Sequence, residues 1–321
     1  MRVLISGYII NSGKLGAAHQ YLAKPFKAAE ILPRIRCALE AQERIENSNL
    51  GRVVTELQSF PVVPTAVSDI LRLLDDDEAD MDGIADVLNK DGGILTKITH
   101  MANSPMFGGD TSTMDGKEAL LRLGTPNIRS LLLSLHVFQS YSRLDFQLLP
   151  VSTIWSHCMK TASTGQRVAR FSGMPIEAVN DTYFAGLVLE LGRLILIDNA
   201  PERYRRVCGS AQKRKSPLSV AEMDEFQASH MELAEFMLRL WGTPQNVVDP
   251  VRYQEAPWEG PPHDYMTSAA AIYIAHHISQ LQSDPIPYVQ PELDEDYLKS
   301  IQADKIIQEL SLHQRRLHRA A

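Results

Sequence analysis

Residues 176–197 read IEAVNDTYFAGLVLELGRLILI, an apolar segment that we interpret as one long helix. Around Leu189, the side chains of Leu187, Leu191 and Leu194 indicate an apolar helix face. A second long helix is expected just before it, at 152–171. From these two segments outward, the apolar spacing is helical almost throughout the chain after residue 57. The sequence therefore predicts an all-α fold for this part.

Shorter helices are expected on both sides of the long pair. Their apolar stripes lie at 63–74, 81–88, 94–101, 117–123, 125–135, 218–241 and 264–281. No alternating apolar and polar run of convincing strand length follows residue 60, which supports the helical interpretation.

The composition sets limits on the class of protein. The chain has 321 residues, of which 44% are hydrophobic, so roughly two domains with a sizeable core are expected. A net charge of −7 argues against nucleic acid as the main partner. No apolar run approaches the roughly 20 residues of a membrane-spanning helix, so no membrane insertion is expected. Cys37, Cys158 and Cys208 lie far apart, which favours a reducing, cytoplasmic location and no structural zinc.

The first 47 residues have a different pattern. Val3–Ser6 and Tyr21–Ala23 are predicted strands, and 27–44 is a predicted helix. The order Val3-Leu4-Ile5-Ser6-Gly7, then Tyr21-Leu22-Ala23-Lys24-Pro25-Phe26, resembles the second half of a two-component receiver domain. That resemblance implies that the Ser6 hydroxyl and the Lys24 ammonium contact a phosphoryl group.

No phosphoacceptor is expected in this receiver-like segment. In receivers, the acceptor aspartate and the acidic pair that holds magnesium precede the strand that Val3–Ser6 resembles, and this sequence has only Met1 and Arg2 before it. The segment is therefore interpreted either as a truncated or mis-started receiver or as a docking element.

A series of motifs runs in order along the larger part of the chain. The motifs are FPVVP at 60–64, MANSPMFG at 101–108, ALLRLG at 119–124, WSH at 155–157, AGL at 185–187 and LWGTP at 240–244. In this order they resemble the HDOD family, a signalling output module related to HD-type metal phosphohydrolases. The resemblance implies an all-α HDOD/HD-like helical domain preceded by a short truncated α/β receiver-like segment.

The predicted domain boundaries follow from these resemblances. The partial receiver-like segment covers 1–47, the HDOD domain 48–285 and a C-terminal helical tail 286–321. Within the HDOD domain, we expect a helical subdomain at about 51–148 and an HD-like subdomain at about 150–285.

The resemblance also implies where a metal site would lie. HD enzymes hold a metal with a histidine, a later His-Asp pair and a distant aspartate. Here His157 matches the first ligand, but the pair reads Leu189-Glu190 and the aspartate position is His276. Leucine cannot bind a metal, so we expect no catalytic residue, no bound metal and no cofactor. His157, Glu190 and His276 remain as vestigial candidates, and such a His₂–carboxylate set is chemically competent for zinc or iron.

Three other features have ordinary interpretations. The dipeptide His263-Asp264 follows two prolines, and Asp264 is interpreted as a helix N-cap. His276 and His277 lie about 100° apart on a helix, so they cannot both point into one site. The basic residues of 203–215 and the acidic residues of 75–91 are interpreted as solvated surface.

Three hypotheses for function follow. The first is a non-catalytic output or scaffold module that acts through protein–protein interaction in a two-component-type bacterial pathway or phosphorelay, with signalling proteins as partners. The second is a metal-dependent phosphohydrolase with a remodelled HD site. The third is a sensor that binds a nucleotide or second messenger in the vestigial HD cleft. Leu189 argues against the second hypothesis and leaves the third open, and the sequence leaves homo-oligomer formation open.

Overall fold

The structure of the protein is a computed structural model. It describes residues 3–6, 20–23, 50–57, 81–90, 92–103, 115–124, 128, 131, 132, 134, 138, 141, 144–241, 243–281, 293–303 and 306.

Two short strands pair in parallel near the N-terminus. They are β1 (Val3–Ser6) and β2 (Gln20–Ala23), with Val3 opposite Gln20. Both strands were predicted from the sequence. One strand pair does not define a receiver domain, however, and the receiver-like segment finds no support beyond it. The predicted helix at 27–44 and the predicted helix at 63–74 lie outside the described residues.

The rest of the described chain is helical and contains no further strand. The helices are α1 (Leu50–Glu56), α2 (Met81–Lys90), α3 (Gly92–Ala102), α4 (Gly116–Leu123), α5 (Val151–Phe171), α6 (Ile176–Leu187), α7 (Leu191–Asn199), α8 (Pro201–Arg214), α9 (Leu218–Phe226), α10 (His230–Leu240), α11 (Gln245–Arg252), a 3₁₀ helix (Pro257–Glu259), α12 (Ser268–Leu281) and α13 (Glu295–Ser300). The predicted stripe of α2 is confirmed, since Ile84, Ala85 and Leu88 are buried.

The interpretation of 176–197 as one helix was wrong. Helix α6 ends at Leu187 and α7 begins at Leu191, and the Leu191 amide donates to the Val188 carbonyl at 3.1 Å in the turn between them. The break allows two close backbone approaches, Gly186 of α6 against α5 and Gly192 of α7 against α10. The turn carries Leu189 and Glu190 into the interior, where both are buried.

The predicted helix at 218–241 is also divided. Gln227, at φ 60°, ends α9, and Ser229 begins α10 with a capping box in which Glu232 is the partner. The Ser-x-x-Glu spacing of that box is visible in the sequence and was overlooked.

The last long helix begins four residues later than predicted. Helix α12 starts at Ser268, and the Thr267 hydroxyl accepts a hydrogen bond from the Ala270 amide at 3.2 Å. The prediction that Asp264 caps this helix was therefore wrong, because Thr267 is the residue that does so.

The core is organised around α5. This helix packs along α6 and α12, while α10 packs against α7 and α11. The side chains at the centre of this packing come from α5, α12 and the α6–α7 turn, and they include two histidines and one carboxylate. Among the described helices, none combines the length and the apolar character that crossing a membrane requires.

Candidate functional site

Three side chains from distant parts of the chain meet inside the helical core. Helix α5 carries His157, the α6–α7 turn carries Glu190, and α12 carries His276. The Nε2 atom of His157 lies 3.1 Å from Nδ1 of His276 and 3.7 Å from Oε1 of Glu190. One nitrogen or oxygen from each residue lies within 4.8 Å of the others. The structure therefore brings together all three candidates that the sequence indicated.

Burial controls the protonation of the two histidines. The side chains of His157, Glu190 and His276 are only 1%, 1% and 4% exposed. Burial lowers the pKa of His157 to about 4, against the opposing effect of Glu190. Burial, together with the neighbouring His157, places the pKa of His276 well below its ordinary value. Both imidazoles are therefore neutral at pH 7, and each has one nitrogen lone pair that can accept a hydrogen bond or bind a metal.

A buried arginine holds the carboxylate of this cluster. Oε2 of Glu190 accepts a hydrogen bond from Nη1 of Arg193, which lies one turn further along in α7. Oε1 of Glu190, by contrast, has no hydrogen-bond partner among the described residues. The carboxylate thus has one oxygen fixed by a cation and one oxygen facing His157 at 3.7 Å.

The same guanidinium connects the site to a second buried cluster on α9 and α10. Nη2 of Arg193 lies 3.2 Å from Nε2 of His230, and its Nε lies 3.5 Å from Oε1 of Glu222. Glu222 in turn lies 2.6 Å from Nδ1 of His230 and accepts a hydrogen bond of 2.6 Å from the Tyr204 hydroxyl. Four helices, α7 to α10, are joined by this network.

The Glu222 carboxylate is ionised in spite of its position. Burial on its own would raise the pKa of Glu222, but His230, Arg193 and the Tyr204 hydroxyl together lower it from 4.5 to about 2. These three partners favour the charged form through opposite charge and hydrogen bonding, which outweigh the desolvation of the carboxylate.

We expect this ionisation to make stability depend on acid pH. The pKa of Glu222 is lower in the folded chain than in the unfolded chain, so its contribution is complete above pH 4.5 and is lost as pH falls towards 2. Glu222→Gln should therefore flatten the fall in the free energy of unfolding between pH 5 and pH 3, as measured by urea titrations at several pH values.

The matched control is Glu202→Gln, whose side chain is 76% exposed and pairs with Arg205 on the surface of α8. This variant should keep the wild-type pH profile. Equal profiles for Glu222→Gln and the wild-type chain would show that Glu222 does not carry the predicted acid dependence.

The sequence also drew attention to Ser6, Lys24 and His263. Ser6 ends β1, while Lys24 lies outside the described residues, so the predicted phosphate contact stays a prediction. His263 contacts the Pro261 carbonyl and the Tyr297 hydroxyl. It does not belong to the group formed by His157, Glu190 and His276.

Arg193, Glu222 and Tyr204 were missed by the sequence interpretation. The only local signal was the three-residue spacing of Glu190 and Arg193, which suits a charge pair on a helix. Nothing in the sequence shows that this pair is buried or that Glu222 faces it from another helix.

Three of the six basic residues at 203–215 pair with acids from α9. Arg203 and Arg206 pair with Glu225, and Arg214 pairs with Asp224. This arrangement agrees with the expectation of an ordinary solvated surface, since the guanidinium groups already have carboxylate partners.

The comparisons with known proteins show the family. The HDOD domain model matches residues 60–257. The chain belongs to the HDOD family, and it therefore contains an HD-related helical domain.

Solved structures with the same fold support this assignment. An HDOD domain protein of unknown function from Geobacter sulfurreducens has a TM-score of 0.69 and 19% identity, over 87% of this chain and 97% of that one. A provisionally named signal transduction protein from Marinobacter aquaeolei VT8 has a TM-score of 0.63 and 18% identity, over 94% of this chain and 68% of that one. A provisionally named phosphohydrolase from Shewanella amazonensis SB2B has a TM-score of 0.56 and 16% identity, over 70% and 79%.

One curated relative is considerably longer. An uncharacterized protein from Treponema pallidum (strain Nichols) is 20% identical over 238 residues, which cover 74% of this chain and 45% of the relative. The chain thus spans less than half the length of that relative.

Proposed function

We propose that this chain is a non-hydrolytic signalling module, an HDOD domain that transmits its conformational state to a signalling protein in a two-component-type bacterial pathway. The observation that carries the proposal is Leu189, which stands where the resemblance to HD enzymes places the histidine of the His-Asp pair. Its side chain is fully buried in the main apolar core cluster.

The burial of the remaining candidates supports the same conclusion. A catalytic metal site keeps one coordination position open to water and substrate, whereas a structural site is closed. His157, Glu190 and His276 are all buried between packed helices. A phosphodiester would have to displace these helices to reach the ligand atoms.

Three further observations support the proposed pathway and location. The solved structure from Marinobacter aquaeolei VT8 is provisionally named a signal transduction protein. The pattern of Ser6 and Lys24 resembles part of a receiver domain. Cys158 and Cys208 are free thiols in the structure, in keeping with the reducing location that we propose.

The proposal predicts that the protein does not hydrolyse phosphodiesters. Protein incubated with Mn²⁺, Fe²⁺ or Zn²⁺ should release no more product from bis(p-nitrophenyl) phosphate or from a cyclic dinucleotide than the His157→Ala variant does. The reason is that the site lacks both the paired histidine and access for the substrate. Product formation is followed by absorbance and by chromatography.

The control variant for this assay is His277→Ala, which removes the adjacent histidine of α12 from outside the cluster. Turnover that is abolished by His157→Ala and preserved by His277→Ala would overturn the proposal in favour of a remodelled phosphohydrolase.

A further inference from the structure

The carboxylate of Glu190 has one oxygen atom, Oε1, that is buried without a hydrogen-bond partner among the described residues. Leaving a buried carboxylate oxygen without a partner is costly, and such an atom often marks a bound ion or water. An imidazole nitrogen, Nε2 of His157, lies 3.7 Å from Oε1.

Two of the three separations between the donor atoms are close to those between ligands of one metal ion. A tetrahedral zinc ion with bonds of about 2.0–2.1 Å places neighbouring donor atoms about 3.3 Å apart. The Nε2 atom of His157 lies 3.1 Å from the donor nitrogen of His276 and 3.7 Å from the donor oxygen of Glu190. These two separations lie on either side of the tetrahedral value, and the donor atoms of all three residues lie within 4.8 Å of one another. Side-chain rotations that shorten the third separation would let one ion contact all three atoms.

The surroundings orient the carboxylate towards this position. Ligating carboxylates in metal sites are themselves hydrogen-bonded, which fixes their orientation. Here Nη1 of Arg193 holds Oε2 of Glu190 and leaves Oε1 for the site. The positive charge of Arg193 is also shared with the ionised Glu222, which reduces its repulsion of a cation.

We propose that His157, Glu190 and His276 bind one divalent transition-metal ion, zinc or ferrous iron, in a closed and non-hydrolytic site, with Arg193 as a positioning residue. The site goes beyond the signalling role proposed above and does not depend on it. The sequence-based expectation of no metal was drawn from the loss of the histidine at Leu189. The geometry leads to the opposite proposal because a different set of donor atoms, from His157, Glu190 and His276, lies close together in the core.

The experiment uses the full chain after dialysis against a chelator, with Co²⁺ as a spectroscopic probe and Zn²⁺ as a competitor. We expect one equivalent of Co²⁺ to give the visible absorption of a tetrahedral site and one equivalent of Zn²⁺ to displace it. Zinc should also raise the Tm in proportion to the logarithm of its free concentration, since it binds only the folded chain.

Variants of the ligands test the assignment. His276→Ala and Glu190→Gln should each weaken Co²⁺ binding by at least tenfold, whereas His277→Ala on the same helix should bind as the wild-type chain does. Glu190→Gln is informative because glutamine has the same shape and can both accept from Arg193 and donate to His157. Arg193→Lys should weaken binding by about 10–100-fold while leaving the Co²⁺ spectrum tetrahedral.

Circular dichroism and cooperative urea unfolding first establish that every variant is folded. A folded wild-type chain that takes up no stoichiometric Co²⁺ or Zn²⁺ would overturn the proposal and leave the contact between His157 and His276 as a hydrogen bond. Binding that survives both His276→Ala and Glu190→Gln would overturn it as well. Phosphodiester turnover would overturn the proposed function and the closed, non-hydrolytic character of this site, while the metal-binding residues would stay as assigned.

Discussion

Arg193→Met is expected to lower the free energy of unfolding by roughly 3–5 kcal/mol, the usual cost of removing one partner from a buried ion pair. Methionine fills much of the volume of arginine but carries no charge. The carboxylates of Glu190 and Glu222, which the guanidinium contacts directly, would lose their shared cation within the core. Equilibrium urea denaturation measures the loss.

The matched control is Arg214→Met at the end of α8. Arg214 also pairs with a carboxylate, that of Asp224, but its side chain is 59% exposed. An exposed pair contributes at most about 1 kcal/mol, so this variant should remain close to the wild-type chain. If the two variants lost equal stability, burial would not be the reason for the effect at Arg193.

Gly192→Ala is expected to lower the free energy of unfolding by about 3 kcal/mol or more. The usual range for overpacking a protein core is about 1–3 kcal/mol. A Cβ at this position would lie 1.9 Å from the carbonyl oxygen of His230 and 2.9 Å from the Ala234 amide nitrogen. Both atoms belong to the backbone of α10, so the two helices would have to move apart. Thermal and urea unfolding both report the change.

Gly209→Ala provides the opposite case. Gly209 lies within α8, and a Cβ there would meet nothing within 4 Å. Because glycine disfavours helix interiors, alanine should stabilise the protein by about 0.5–1 kcal/mol. Opposite signs for the two glycines would confirm that backbone contact decides the effect, and a neutral Gly192→Ala would contradict the close approach of α7 and α10.

The sequence was sufficient for the helical class and for the positions of α2, α3, α4 and α5. The periods that predict α2 and α5 are local, since the residues that alternate between buried and exposed faces lie within one or two turns of each other. The same holds for the capping box at Ser229 and Glu232, which was overlooked although its spacing is visible. The ordered motifs also indicated the family that the domain comparison then showed.

The break between α6 and α7 could not be predicted in this way. Val188, Leu189 and Glu190 contain neither proline nor glycine, and their helix propensities suit a continuous helix. On either side of the turn, Gly186 lies close to the backbone of α5 and Gly192 lies close to the backbone of α10. These contacts join residues that are far apart in the chain. Packing of this kind overrides local preference because it buries much more surface than one turn of helix offers.

In the candidate site, too, some features follow from the sequence and others follow only from the tertiary structure. The sequence by itself determined which donors are present, since His157, Glu190 and His276 were selected from their positions relative to the family motifs. Only the tertiary structure decided that His157 and His276, which are 119 residues apart, lie at 3.1 Å, and that Arg193 holds Glu190. Residue chemistry is a property of each side chain, whereas a distance between helices is set by the packing of the whole core, and no local pattern in the sequence encodes it.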